Sequence, residues 1–274
     1  MSGGMKAGAL IGVIVAIFLI IAGAFLEGVT PMMLFAPSAI VIIGGGTLGA
    51  TMASLGMEGM KQIVPGYKAA FMAEPADVGG QVERLVGFAD TARRDGLLAL
   101  EAQLPEIPDE FTRKGLQLVV DGTDAHAVEE ILELEIESMQ ARHKVGEDVF
   151  RLASGYSPTI GVLGTVISLV HVLGNLSDPD SLGPSIAVAF IATLCGVGFA
   201  NVIALPVATR LKQVSGWEVQ MRNMTIQGIL AIQKGDNPRM VAEKLLTYVP
   251  PKQRDAVTLP GAPKLSAVED KKAA

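Results

Sequence analysis

Ser157-Pro-Thr-Ile-Gly-Val-Leu-Gly-Thr-Val-Ile-Ser-Leu-Val-His-Val-Leu-Gly-Asn175 and Ser185-Ile-Ala-Val-Ala-Phe-Ile-Ala-Thr-Leu-Cys-Gly-Val-Gly-Phe-Ala-Asn-Val-Ile-Ala-Leu-Pro-Val-Ala-Thr209 contain no Asp, Glu, Lys or Arg. Each is long enough to cross a bilayer as a helix, which needs about 20 apolar residues. Small and hydroxyl residues recur along both at intervals of three and four, so they share one helical face. In the first the stripe is Gly161, Gly164, Thr165, Ser168, His171 and Asn175; in the second it is Ala189, Thr193, Gly196, Ala200 and Ala204. Two such helices can line a polar path through a membrane, but neither brings the ionised group that would hold a cation halfway across.

Two further apolar blocks lie upstream. Ala7–Leu26 is uncharged throughout, and Leu34–Leu55 is broken only by Gly, Ser, Thr and Pro37. Half of the 274 residues are hydrophobic and 18% are charged, below the roughly 25% of soluble domains. Lys6 and Ala22-Gly23-Ala24 resemble the flanks of a signal peptide, but the second apolar block follows within a few residues, which favours a retained helical hairpin. The expected fold is therefore all-α: an integral membrane protein with four transmembrane helices, at about 7–26, 34–55, 157–175 and 185–209.

Basic residues orient the spans. The connections 27–33 and 176–184 hold no Lys or Arg. Lys61 and Lys68 follow the second span, Arg142, Lys144 and Arg151 precede the third, and Arg210 and Lys212 follow the fourth. Both termini and residues 56–156 are thus expected in the cytoplasm. That segment carries 19 acidic against 10 basic side chains, a balance that suits a basic protein surface and disfavours nucleic acid.

Residues 56–156 read as helical, with Val128, Ile131, Leu132, Leu134, Ile136 and Met139 interleaved with glutamates and a turn at Pro105-Glu-Ile-Pro108. The third and fourth spans are expected to continue below the membrane, the fourth into C-terminal helices over 212–249. From Pro250 the composition turns to that of a disordered tail, 250–274.

Chemistry is sparse. No metal-ligand spacing, nucleophile triad or phosphate loop occurs, so neither an enzyme nor a cofactor is expected. The single Cys195 permits no intrachain disulfide. Small residues along the stripes let membrane helices approach closely, and Gly44-Gly45-Gly46 with Gly49 gives the second span a similar face. Thr165 and Thr193 can back-bond to their own helices, or act as ligands or relays in a wet crevice. Pro158 and Pro206 are either tolerated kinks or hinges. His171 reads as a packing or interfacial residue. A cation path would need a carboxylate, and it must come from another chain.

The motifs Gly155-Tyr-Ser-Pro158-Thr-Ile-Gly-Val-Leu-Gly-Thr165, His171-Val-Leu-Gly-Asn175-Leu, Leu182-Gly-Pro-Ser-Ile-Ala-Val-Ala-Phe-Ile-Ala-Thr193-Leu-Cys-Gly-Val and Leu205-Pro206-Val-Ala, in this order, resemble the MotA/PomA subunit of the bacterial flagellar stator. Ala92-Arg93-Arg94-Asp95-Gly96-Leu97-Leu98-Ala99-Leu100-Glu101 is similar to the rotor-contacting segment of that family. The resemblance reaches to about residue 250. It implies a homopentamer in the cytoplasmic membrane around two copies of a MotB/PomB-type partner, whose single span supplies the ion-binding aspartate. It implies that ion flow turns the pentamer against the rotor protein FliG. It places Pro158 and Pro206 at the two functional prolines, Thr165 and Thr193 on the ion path, and Arg93 and Glu101 at the rotor-facing charged pair. Leu163-Gly-Thr165 is similar to the sodium-type branch, whereas Ala192-Thr193 departs from the double threonine of some sodium-type members; sodium is favoured over the proton. The driving force, about 2.3 kcal/mol per charge per 100 mV, suits small steps. ExbB/TolQ-type energisers are the nearest alternative, but they resemble three-helix proteins without the 7–55 hairpin. An autonomous transporter would be expected to show inverted repeats or a mid-membrane ionisable residue.

Overall fold

The computed structural model describes residues 2–30, 32–73, 77–174 and 179–258, and among them every regular element is helical. In chain order these are α1 (Ser2–Leu26), α2 (Pro37–Lys61), α3 (Ile63–Met72), α4 (Val78–Asp95), a 3₁₀ segment (Leu97–Glu106), α5 (Glu110–Val120), α6 (Ala125–Gly174), α7 (Pro179–Gly198), α8 (Leu205–Gln233), α9 (Pro238–Leu246) and the short α10 (Pro251–Arg254). A π-helical segment, Phe199–Ala204, joins α7 to α8 without a break. A second π-turn, Val41–Gly45, lies inside α2.

Three stretches, Pro37–Lys61, Ala125–Gly174 and Leu182–Gln233, are long and apolar enough to cross a membrane, and Leu10–Leu26 is a shorter apolar stretch. Their surfaces agree with a lipid setting. Phe18 and Phe25 are each 67% exposed, and Ile14, Val41, Val170 and Phe190 also face outward, which would be costly in water. The second span begins at Pro37, three residues later than the apolar run suggests, because the fixed φ and missing N–H of Pro suit the first position of a helix. It also extends to Lys61, with a break at Gly56, whose φ of +66° is open to glycine. Of the expected third span, Asn175 lies outside the described residues.

The chain forms two compact units: residues 1–75 with 141–215, and residues 76–140 with 216–274. These boundaries differ from the charge boundaries at 56 and 156 because α3 packs with the apolar helices. Tyr67 stands edge-on to Phe150 at 4.9 Å, Gly66 sits against the same ring, and Arg210 donates to the carbonyl of Ala70.

The second unit is a helical domain with its own core. Val82, Leu85 and Val86 of α4, Leu116 and Val119 of α5, Val128 and Leu132 of α6, Met224 and Ile229 of α8 and Leu245 of α9 are all buried. The helix starts are signalled locally. Asp77 and Asp109 accept from the backbone N–H groups of Gly80 and Thr112, and Asn237 caps a helix that opens on Pro238. Gly96 (φ +85°) ends α4 where a side chain would be strained. Buried polar links cross the core from Gln81 Nε2, which donates to the Thr112 hydroxyl at 2.8 Å and the Thr225 hydroxyl at 3.3 Å. Along α6 the buried register is Val128, Leu132, Ile136 and Met139, whereas Leu134 is 57% exposed. Beyond Pro250 the chain is still ordered for several residues: α10 forms, Val257 packs against the core, and the Thr258 N–H donates to the Glu83 carboxylate. Residues 259–274 of the expected tail lie outside the described ones.

Candidate functional site

The two small-residue stripes meet. Gly161 and Gly164 of α6 and Ala189, Gly196, Ala200 and Ala204 of the α7 segment and its π continuation are buried. A Cβ on Gly196 would lie 2.6 Å from the carbonyl oxygen of Ser157, and one on Gly161 would lie 3.0 Å from that of Ala192. Backbone therefore approaches backbone, which only glycine permits here. The contact is tied by Ser157, which is fully buried and whose hydroxyl donates to the carbonyl of Gly196 at 2.9 Å.

One helical turn and more along this crossing, Thr165 and Thr193 face each other half-buried, with their hydroxyl oxygens 2.5 Å apart. The Thr165 oxygen is also 3.0 Å from the carbonyl of Ala189 and 3.1 Å from that of Gly161. A hydroxyl has one proton to give and two lone pairs to receive with. Thr165 can thus donate to one carbonyl while accepting from Thr193, and both can reorient by rotation. The arrangement is four convergent oxygens without a formal charge. It can relay a proton or contribute neutral ligands to a cation, and it cannot alone offset a cation's desolvation. Ser168 continues the stripe half-buried, while His171 is exposed at the end of α6.

The prolines differ in effect. Pro158 lies inside α6, whose helix runs through it from Ala125 to Gly174. Pro206 stands just after the π segment Phe199–Ala204. A proline has no N–H for the carbonyl four residues earlier, and here the turn that contains that carbonyl, at residue 202, is widened. Widened turns of this kind mark places where helices adapt.

In the other unit, Arg93 lies in the last turn of α4 and Glu101 in the 3₁₀ segment that follows it, both exposed. Leu98, between them in sequence, is 73% exposed. Arg94 is engaged with Asp90 at 3.1 Å.

Sequence reasoning passed over three features of the spans. Ser157 stood in a quoted motif, but its role became visible only with Gly196 opposite. Tyr156 and Ser54 share a hydrogen bond of 2.8 Å between α6 and α2, a pairing that no spacing signals. The π-turn at Val41–Gly45 has no sequence mark beyond its glycines. Among the described residues, a Cβ on Gly46 would meet Ile160, whereas one on Gly44, Gly45 or Gly49 would meet nothing within 4 Å.

The MotA/TolQ/ExbB proton channel family profile matches residues 103–224. Motility protein A of Bacillus subtilis is 37% identical over 246 residues, covering 89% of this chain and 91% of that protein. That of Borreliella burgdorferi is 40% identical over 218 residues, covering 79% and 84%. The chain belongs to the motility protein A (MotA) family. Solved MotA-family structures agree in fold. A chain of C. jejuni MotAB superposes with a TM-score of 0.86 at 27% identity, over 96% of this chain and 100% of that one. A chain of the flagellar MotAB stator complex from Bacillus subtilis does so with a TM-score of 0.84 at 36% identity, over 89% and 96%. Among the described residues no cluster of His, Cys, Asp or Glu is arranged to hold a metal ion.

Proposed function

We propose that this chain is the ion-conducting, torque-generating subunit of a flagellar stator in the bacterial cytoplasmic membrane, working with a MotB-type partner. The observation that carries the reading is the Thr165–Thr193 hydroxyl pair on a charge-free helix crossing. Such a pair is half of an ion site, and the other half has to be a carboxylate. A partner span placing an aspartate beside it would complete the site. Burial would raise that aspartate's pKa, so that loading and release of one cation switch its charge.

The chain crosses the membrane four times in this reading, with both termini and the acidic helical domain in the cytoplasm. Several copies, five by the family resemblance, surround the partner's spans. Neutralising the aspartate removes the reason for nearby dipoles to face it, and the widened turn before Pro206, with Pro158 on the neighbouring helix, lets the α6–α7 pair respond. Arg93 and Glu101, exposed around Leu98, engage complementary charges on the rotor protein FliG. Sodium is the favoured ion, because hydroxyl and carbonyl oxygens replace part of its water shell, while a proton needs only a relay.

The test is motility of a stator-deleted bacterium expressing this chain with the MotB-type protein encoded beside it. Restored swimming that requires both chains supports the proposal. Stable membrane expression of both without any motility, with the two chains failing to co-purify, overturns it.

A further inference from the structure

The span-containing unit holds a second feature, away from the hydroxyl pair. A cavity of about 400 Å³ opens among α2, α3, α6 and α7, within the roughly 300–1,000 Å³ of small-molecule sites. Both π-turns border it, through Ile43 and Gly44 on one side and Phe199 on the other. No Asp, Glu, Lys, Arg or His lines it.

Among its described lining residues, the fully buried hydroxyl left without a partner is that of Thr47. The Thr47 hydroxyl is buried with no hydrogen-bond partner, and the residue is 3% exposed. The cause is local. A helical threonine ordinarily turns its hydroxyl to the carbonyl four residues back, here that of Ile43. The π-turn reroutes this ladder, so that the Gly46 N–H reaches the carbonyls of both Ile42 and Ile43. Thr51, one turn on, does back-bond, to the Thr47 carbonyl at 2.7 Å. Buried hydroxyls seldom go unpaired.

We propose that this cavity binds a neutral aliphatic amphiphile drawn from the bilayer, its single hydroxyl or carbonyl group on the Thr47 hydroxyl and its chain along the apolar walls. A charged ligand is excluded by the lining and by depth. Water alone is a poor occupant, since beyond the Thr47, Thr51 and Tyr67 hydroxyls the side chains of the lining are almost all apolar and leave most of the volume without polar partners. A phospholipid is excluded by reach. Thr47 lies ten residues into α2, roughly 15 Å along the helix axis, about the middle of a 30 Å hydrocarbon layer, whereas ester and headgroup stay near the interface. Ile40 and Leu48 at the rim are 50% and 55% exposed, which leaves the mouth open sideways.

The experiment uses the full chain, co-expressed with its MotB-type partner, in native membranes. The probes are a ten-carbon alcohol carrying a diazirine on its chain and the matching alkane diazirine without the hydroxyl. After photolysis, the expected labels fall on Phe150, Ala153 and Phe199 and are removed by excess 1-decanol. The same decanol protects Cys195, the sole cysteine of the chain and part of the lining, from a membrane-permeant maleimide. Thr47→Val lowers labelling by the alcohol about fivefold, the worth of one hydrogen bond, and leaves the alkane unchanged. Ala153→Leu fills the cavity and abolishes both; if that variant does not co-purify with the partner, Cys195→Leu replaces it. Labelling that cannot be saturated and is spread over Phe18, Leu19 and Phe190 overturns the proposal, as does alcohol labelling indifferent to Thr47→Val.

Discussion

Gly196→Ala tests the backbone-to-backbone approach at the α6–α7 crossing. The new methyl carbon would stand 2.6 Å from the Ser157 carbonyl oxygen and 3.2 Å from the Cα of Gly161. Both are backbone atoms, so no rotamer change relieves the contact. Ordinary contact begins near 3.4 Å, so the helices must part by about 0.8 Å at this point. Added to the existing distances, that opening takes the Ser157–Gly196 hydrogen bond from 2.9 Å to about 3.7 Å, where it is lost. It takes the Thr165–Ala189 contact from 3.0 Å toward about 3.8 Å. Overpacking of this kind costs about 1–3 kcal/mol. The better helix propensity of alanine returns about 1 kcal/mol, so the net loss is at most about 2 kcal/mol. The assay is thermal stability of the detergent-purified complex, followed by size exclusion after heating, with swimming speed alongside. A drop of a few degrees is expected. Gly146→Ala on α6, where a methyl carbon would meet nothing within 4 Å, is the control and keeps wild-type stability or better. Equal behaviour of the two variants would refute the close crossing.

Other sites offer independent checks. Arg93→Glu reverses a charge exposed at the end of α4; torque, read from tethered-cell rotation, falls, while membrane insertion and co-purification with the partner are retained. Loss of assembly instead would make Arg93 structural. Leu132→Ala empties a fully buried site in the helical domain and costs about 2–5 kcal/mol, measured by denaturant melting of the helical signal. Asp109→Ala removes the carboxylate that caps α5 and lowers stability by about 1 kcal/mol in the same assay. The Asp236 carboxyl is held below the ordinary carboxylate range chiefly by the hydrogen bond from Lys244, with desolvation opposing it and the charges of Lys244 and Lys234 adding to it. A depressed pKa contributes stability that is present above the unfolded value and is lost as pH falls through the folded value. Asp236→Asn therefore narrows the difference in stability between neutral and acid pH, which an acid titration of the melting point reads out.

Much of this arrangement was legible in the residues because hydrocarbon imposes simple rules. Long uncharged runs became long helices, and the three-and-four spacing of Gly161, Thr165, Ala189, Thr193 and Gly196 brought those residues to one crossing. Proline marked the turn near Pro105, whereas the apolar run put the start of α2 at Leu34, three residues before Pro37. Less could be read where the outcome depends on a partner residue far away in sequence. Nothing near Ser54 announces Tyr156, and nothing in Val41-Ile-Ile-Gly-Gly announces a π-turn, since its hydrogen bonds differ from those of an α-helix by only one residue. The glycines at 44, 45, 46 and 49 looked like a contact face, yet among the described residues a Cβ would meet another helix at Gly46 and nothing within 4 Å at the other three. Leu134 fits the apolar pattern of α6 but lies off its buried register, and residues past Pro250 kept order because Val257 found a core. Composition is blind to both. The two span sequences hold no carboxylate, so residues within one chain could show only the neutral half of the site proposed above.

The account rests most directly on the hydroxyl pair. Swimming speed would be measured in a stator-deleted host expressing the chain with its MotB-type partner, as wild type, Thr165→Ser, Thr165→Val and Thr193→Val, with external sodium and membrane potential varied separately. The account predicts that wild-type speed follows sodium and survives a protonophore when sodium is supplied. It predicts that serine at 165 preserves this response, and that either valine removes it while the complex still co-purifies. Valine variants that swim at wild-type speed at low sodium would contradict it.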